Sequence, residues 1–552
     1  MRQLVRPTST IRPRELLLRL LLAVAAGGLQ FLTYQPQGWW FCGFFAIALL
    51  LAAVLPWKYF RRQANEDQTQ IIKPQAHNAK SYLRLWQCYL VTFTWFATTA
   101  LLSLPWIGSF VGTMPYVALA ITLGLLTLPT AVALWLLMRS RLPLPWQLVG
   151  AASAIVTAEC LLARWPFGGF PWLKLAWGQV GGPLEVLARI GSTSLVSLAV
   201  ALIGAAVLLL LVGITRRSIT TGGVGLAIVG LILALVGGVT VTQPSSASNN
   251  RTLQVAAIQG NVPRLGLEFN AQRRAVLNNH ASATKELAEA VRRGEQPQPD
   301  IVLWPENSSD VSPMTDAVAA RTIDDAASAI GVPIIVGTFT YDHGTQNTML
   351  LWDPHTGPNS LQRHEKIYLQ PFGEYMPLRD LLRHVTDLVD LAGDMTPGAG
   401  DGTISFVPRA EPVTIGFATC FEVIFDAAYR DAVLAGAEIL ATPTNNATFG
   451  FTDMSHQQLA MSRLRAIEHH RAVVVAATSG ISAIVAPDGT VEQQTEIFEK
   501  HILNAELPLL DKLTFATRYG RAIEMGIIAF SVLVLIAAII RTRRPVTKEQ
   551  PL

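Results

Sequence analysis

Three short segments carry the side chains best suited to chemistry. "DIVLWPENSS" ends an apolar run with Glu306, "HEKIYLQPFGEYMP" supplies Lys366 and Glu374, and "GFATCFEVIF" ends a second apolar run with Cys420. A thiol attacks a carbonyl as the thiolate, and a nearby base and cation promote that form. Glu306 is suited to take the thiol proton, and Lys366 to stabilise the oxyanion of a tetrahedral intermediate. Glu374 can orient Lys366 or fix its charge. Phe421 and Glu422 adjoin the cysteine, and Glu422 is placed to support Lys366 or its loop. Each residue also has a plainer reading: a cysteine in an apolar strand is usually core, a Glu after Pro a turn residue, a loop Lys solvated. A Cys–His pair using His364 or His456 stays open as well. "IEHHRA" is not the HExxH zinc motif, and no other zinc spacing is present.

The segments are spaced by elements able to bring them together. Strand candidates are "LQVAAIQ", "DIVLWPE", "PIIVGTFTY", "VTIGFATC", "EILATPT", "AVVVAAT" and "SAIVAPDG", with "PDG" turning into a further edge strand. Helical patterns lie between several of them, at Ala271–Arg293, Ser312–Ile330 and Ser455–His469. The last puts Leu459, Arg463 and Ala466 on one face. Strands alternating with helices predict an α/β layered domain. Sites in open α/β sheets form beyond the carboxyl ends of strands. Glu306, Lys366 and Cys420 are therefore expected neighbours.

That domain is only part of the chain. The 552 residues are 51% hydrophobic and 15% charged, too apolar for an ordinary soluble protein. The excess lies in the first 245 residues and near the C-terminus. The sequence therefore predicts a membrane domain over 1–245 with seven transmembrane helices and an α/β domain over 251–512. An eighth helix and a basic tail follow over 520–552. The predicted spans are Leu16–Leu32, Trp39–Leu55, Leu85–Leu104, Met114–Met138, Trp146–Leu162, Leu195–Ile214, Gly222–Val241 and Ala522–Ile540. The first, preceded by Arg2, Arg6, Arg12 and Arg14 and lacking an A-x-A site, reads as an uncleaved signal anchor. One set of loops carries Lys58, Arg61, Arg62, Lys73, Lys80, Arg84, Arg139, Arg141, Arg216, Arg217, Arg541, Arg543 and Arg544, while the alternate loops are nearly free of such charge. This places both termini in the cytoplasm and the α/β domain outside. Within the third outward loop, Trp165, Trp172 and Trp177 read as an aromatic belt or as a re-entrant element shaping a lipid-facing cleft. Glu159 is a charge inside a span. The chain has four cysteines; Cys420 is alone in its domain, so no internal disulfide is expected there. The net charge of +4 comes without a basic stripe, so nucleic acid is not implied.

In its order along the chain, the Glu306, Lys366 and Cys420 set resembles the Glu-Lys-Cys triad of the nitrilase superfamily. That resemblance implies an αββα sandwich. Taken with the spans, and with "GFPW" at 169–172, "AAIQGNV" at 256–262, "PFGEYMP" at 371–377 and "SHQQLAMSRLRAIEHHRAVVVAATSGISAI" at 455–484, the chain resembles the bacterial apolipoprotein N-acyltransferase family. It departs from that pattern at Phe421, where Tyr is common, at Ser479, where Asn is expected, and in "NNATFG", which lacks a Trp. The resemblance implies a bacterial plasma-membrane enzyme working as a monomer without metal or redox cofactor. It would move an acyl chain from a phospholipid, through a thioester on Cys420, to the α-amine of a diacylglyceryl-modified apolipoprotein. Glu306 would be general base and acid and Lys366 the oxyanion holder. Trp165, Trp172 and Phe449 would lie on the path of lipid entry. The alternative is a membrane-tethered nitrilase-type amidase acting on a small amide.

Overall fold

The computed structural model describes residues 11–60, 82–241, 251–262, 269–384, 387–409 and 411–543. Of the basic residues read for orientation, Arg2, Arg6, Arg61, Arg62, Lys73, Lys80 and Arg544 lie outside them. Among the described residues, six helices are long and apolar enough to cross a membrane: Leu85–Ser103, Thr113–Arg139, Leu144–Leu162, Glu185–Arg216, Ile219–Val241 and Phe515–Thr542. The other two predicted spans are helical but fall short of that standard. Cys42–Val54 has 13 residues, about 20 Å at 1.5 Å per residue, against a hydrocarbon core of about 30 Å. Pro13–Phe31 carries Arg14, Glu15 and Arg19 in its first turns. Arg19 is buried, pairs with Glu15, and donates to the carbonyls of Ala53 and Leu55 at the end of the second helix. The charge in the first helix thus satisfies the carbonyls that the short second helix leaves open. The predicted span over 114–138 is broken into Thr113–Leu125 and Leu128–Arg139, with Pro129 in the first turn of the second piece, where its missing N–H costs nothing.

The second half of the chain is an αββα sandwich. Its strands are β1 (Thr252–Gln259), β2 (Ile301–Leu303), β3 (Ile334–Thr340), β4 (Gln346–Asp353), β5 (Gly357–Glu365), β6 (Thr403–Phe406), β7 (Val413–Phe417), β8 (Ile439–Thr444), β9 (Val473–Ala477), β10 (Ala483–Val485), β11 (Val491–Gln494) and β12 (His501–Pro508). One sheet runs β12-β1-β2-β3-β4-β5, the other β11-β10-β9-β8-β7-β6. Each has a parallel centre, β1-β2-β3 and β7-β8-β9, flanked by antiparallel strands. Alternate residues of these strands, such as Val255, Leu303, Ile415, Ala441 and Val474, fill the space between the sheets. The other faces are covered by helices: Phe269–Arg292 and Ala317–Ile330 on the first sheet, Asp426–Leu434 and Met454–His469 on the second.

Helix Met454–His469 is buried almost all round, Arg465, Glu468 and His469 included. The single face proposed from its sequence is therefore too narrow a description. One side lies on the second sheet, and the other packs in a core continuous with the membrane helices. The sandwich is thus seated on the membrane part through its second helix layer.

Gly337 of β3 shows how tightly the chain after β2 is held. A Cβ there would lie 2.2 Å from the Pro305 carbonyl oxygen and 2.8 Å from the Glu306 Cα. Both are backbone and cannot yield. Gly337→Ala should cost about 1–3 kcal/mol of stability and lower the thermal midpoint in detergent by several degrees; an unchanged midpoint would show that the strand end carrying Glu306 is free to move.

Candidate active site

Glu306 follows β2 by three residues, Lys366 follows β5 directly, and Cys420 follows β7 by three. All three leave their strands at the same edge of the sandwich. Lys366 Nζ donates to Glu306 Oε1 at 3.0 Å and to Glu374 Oε1 at 2.8 Å. Its side chain is 2% exposed and that of Glu306 is 5%, so the pairing replaces water rather than competing with it. Asn347 of β4 donates to Glu306 Oε1 at 2.7 Å and to Glu374 Oε1 at 3.2 Å. The backbone N–H of Asn445, just past β8, reaches Glu306 Oε2 at 3.0 Å, and that of Gln370 reaches Glu374 Oε2 at 2.7 Å. Glu306 of one sheet is thereby tied to a strand end of the other.

Cys420 sits at the start of a 3-10 turn, Cys420–Ile424, with φ +53°, a left-handed conformation that L-residues hold only under local constraint. The thiol is beyond the strand, not within it, and Gln458 Nε2 approaches its Sγ at 3.7 Å. Burial pushes the Cys420 thiol up to about 12, and the Glu306 carboxylate adds to this while Lys366 opposes it. For Lys366, burial favours the neutral amine, but the Glu306 and Glu374 carboxylates outweigh it and hold the ammonium well above its usual range. The resting site therefore carries a charged Lys366 and a protonated thiol.

Glu422 is the hub of the turn. It accepts from the N–H of Thr419 at 2.7 Å, Ile367 at 2.7 Å and Tyr368 at 2.9 Å, and lies 3.0 Å from His364 Nε2. Burial works against its ionisation, yet His364 and the backbone donors win and hold its carboxyl below the ordinary value. One carboxylate thus clamps the Cys420 turn to the Lys366 loop. His364 is turned toward Glu422 and stacks on Phe417.

The aromatic residues divide. Phe421 stacks on Phe170 and Trp172, with ring centroids 6.2 and 6.4 Å away. Trp172 is buried, donates to Gln457 Oε1 at 2.7 Å and packs on Trp106, which in turn meets Phe449 edge-on. Trp172 and Trp177 are buried against protein partners rather than set in an aromatic belt, and Phe449 is buried against Trp106. Trp165 and Phe451 are the exposed ones, at 58% and 81%. Glu159 accepts from the Leu175 N–H at 2.8 Å and so secures the buried loop over 171–179. Among the described residues no cluster of three or more His, Cys, Asp or Glu is disposed to hold a metal.

Asn347, Asn445 and Gln458 were not anticipated. Asn347 and Asn445 touch the Glu306 carboxylate and Gln458 approaches the thiol. The only available signal for Asn347 was a polar pair, Gln346-Asn347, opening a strand with the apolar centre Met349–Trp352.

A thiol, an ammonium and two carboxylates gathered at the strand ends of an αββα sandwich, mounted on apolar helices, define a membrane-bound protein of the carbon–nitrogen hydrolase class. Residues 254–511 match the carbon-nitrogen hydrolase family, and residues 26–206 match the apolipoprotein N-acyltransferase N-terminal domain. An apolipoprotein N-acyltransferase of Mycolicibacterium smegmatis is 41% identical, over 95% of this chain and 86% of that one. Those of Ralstonia nicotianae and Photobacterium profundum are 29% and 27% identical, over 95% and 91% of this chain and 93% and 91% of theirs. The chain belongs to the apolipoprotein N-acyltransferase family.

Two outcomes follow from the geometry. Asn347→Leu strips one donor from both carboxylates, a loss of about 1–3 kcal/mol. Turnover should fall about tenfold to a hundredfold, measured as acyl transfer per folded molecule. For Cys420, a thiol raised to about 12 has little thiolate at neutral pH. Its alkylation by iodoacetamide, followed by mass spectrometry, should keep rising about tenfold per pH unit past about 8.5, where ordinary thiols level off; a plateau there would contradict the burial argument.

Proposed function

We propose that this enzyme transfers an acyl chain from a membrane phospholipid to the N-terminal α-amine of a diacylglyceryl-modified apolipoprotein, by way of a thioester on Cys420. The observation that carries this reading is a single buried thiol beside a charged lysine that is itself paired with two carboxylates. Cys420 Sγ attacks the ester carbonyl as its proton passes to Glu306. Lys366 stabilises the oxyanion. Collapse breaks the carbon–oxygen bond, and Glu306 returns the proton to the departing lysophospholipid. The apolipoprotein amine then attacks the thioester and Glu306 takes the amine proton; as the carbon–sulfur bond breaks, Glu306 passes that proton to the departing Cys420 sulfur, leaving the amide and the resting thiol. Glu374 and Asn347 hold Lys366 and Glu306 in register throughout, and Glu422 does the same for the turn.

The membrane part fits the same reading. Both substrates carry long acyl chains, and drawing such a chain into water costs about 0.8 kcal/mol per CH₂. We take residues 1–245 and 520–552 as an anchor crossing the membrane eight times, the two helices that fall short of full span length included, and residues 251–512 as a catalytic domain on the outer face of a bacterial plasma membrane. Support comes from the charge-poor alternate loops and from the core shared by the sandwich and the apolar helices. Trp165 and Phe451, exposed near this junction, suit lipid entry.

Cys420→Ser should reduce N-acylation of a diacylglyceryl lipopeptide at least about 1,000-fold while leaving the thermal midpoint unchanged. Retained acylation in that variant would remove Cys420 from the mechanism.

A further inference from the structure

The turn that presents Cys420 is gripped from the membrane part by one loop, at both of its ends. At the front, Phe421 lies on Phe170 and Trp172. At the back, Asp426 opens the helix that follows the turn, and Lys174 Nζ reaches its Oδ2 at 2.7 Å. Lys174 is 3% exposed and also donates to Thr193 Oγ1 at 2.9 Å, whose hydroxyl lies 2.9 Å from Asp426 Oδ1. Arg465 completes the set. It donates to Asp426 Oδ1 at 2.8 Å and, through Nε, to the Val423 carbonyl inside the turn at 3.0 Å, and it lies over the Trp177 ring at 5.0 Å. Glu468 takes the remaining charge of Arg465 at 2.6 Å. Two cations and two anions are thus buried in mutual contact, a set in which the loss of one member leaves another uncompensated.

We infer that Lys174 is a positioning residue for the reaction, acting through Asp426 to hold the turn that aims the Cys420 thiol at the Lys366–Glu306 pair. This rests on the reading of Cys420 as the nucleophile. The conformation at Cys420, with φ +53°, persists only where the surroundings over-determine it. Glu422 fixes the turn from the Lys366 side, and the Phe170–Trp177 loop fixes it from the membrane side. The loop that seats the sandwich on the lipid platform is therefore the one that sets the thiol's aim. Simple glue between two domains would need neither the bond from Arg465 to Val423 nor a ring stacked on the residue next to the thiol.

The test is single-turnover acylation of Cys420 by a labelled phospholipid, for the full-length protein in mixed micelles and normalised to folded protein. Lys174→Met should slow thioester formation at least about tenfold while KM for the phospholipid changes less than about twofold. Lys174→Arg should recover most of the rate. Lys174→Met/Asp426→Asn, which removes both charges and so protects folding, should be no slower than Lys174→Met alone, since the two act as one unit. An unchanged rate per folded molecule in Lys174→Met and in the double variant would overturn the inference, as would a loss confined to KM or a failure of Lys174→Arg to rescue. A wild-type protein that forms no adduct at Cys420 would overturn the nucleophile reading instead.

Discussion

The site is organised around a lysine ammonium buried between two carboxylates. An ammonium taken out of water costs several kcal/mol unless its partners are close and well aimed. Lys366 meets Glu306 and Glu374 within 3.0 Å, Asn347 donates to the same two oxygens, and the backbone N–H groups of Asn445 and Gln370 occupy the oxygens that remain. The three charges sum to minus one. A thiolate there would be a buried charge and a second negative one; burial first, and the Glu306 carboxylate next, hold the proton on Cys420. Moving that proton to Glu306 as sulfur attacks keeps the total constant, and the charge created on the substrate oxygen then faces Lys366. The same arrangement that protects the resting thiol prepares it for one kind of partner, a carbonyl whose developing oxyanion the ammonium can meet.

Holding this set requires both sheets. Glu306 comes from the first sheet and Cys420 from the second, and the ties between them are few and specific: the Asn445 N–H on Glu306, and Glu422 bridging the Cys420 turn to the Lys366 loop. The membrane part joins the same framework. Its aromatic loop packs against Phe421, and its helices share a core with Met454–His469. Phe421 has a clear place in this framework. A ring stacked on Phe170 and Trp172 needs flatness and apolarity from that position, and a phenyl group supplies both.

The apolar centre of each sheet could be read from sequence because a strand buried on both faces is a continuous hydrophobic run, as in "VTIGFATC" and "AVVVAAT". Two flanking strands, β5 and β12, escaped for the opposite reason. β5, "GPNSLQRHE", is half exposed and has no apolar run to find, so Lys366 was seen without the strand that delivers it. β12 alternates along an edge in the same manner. Asn347 was hidden because its partners are carboxylates distant in sequence, and spacing cannot show a contact across a sheet. The tryptophans of the loop over 165–177 illustrate a related limit. A ring suited to a membrane interface and one stacked on Phe421 have the same local sequence, and only the position of the sandwich separates Trp165 from Trp172. Cys42–Val54 appeared longer because the flanking Trp39–Phe41 and Leu55 are apolar without being helical.

The central claim is that Cys420 carries the acyl chain between donor and acceptor. Its most direct test is intact-mass analysis of the purified protein after exposure to phospholipid, with the modified peptide sequenced. The account predicts a gain of one acyl chain on Cys420, stable in water and discharged on addition of a diacylglyceryl-cysteine peptide, which emerges as the amide. A protein whose mass does not change, or an adduct that water discharges as fast as the peptide does, would contradict it.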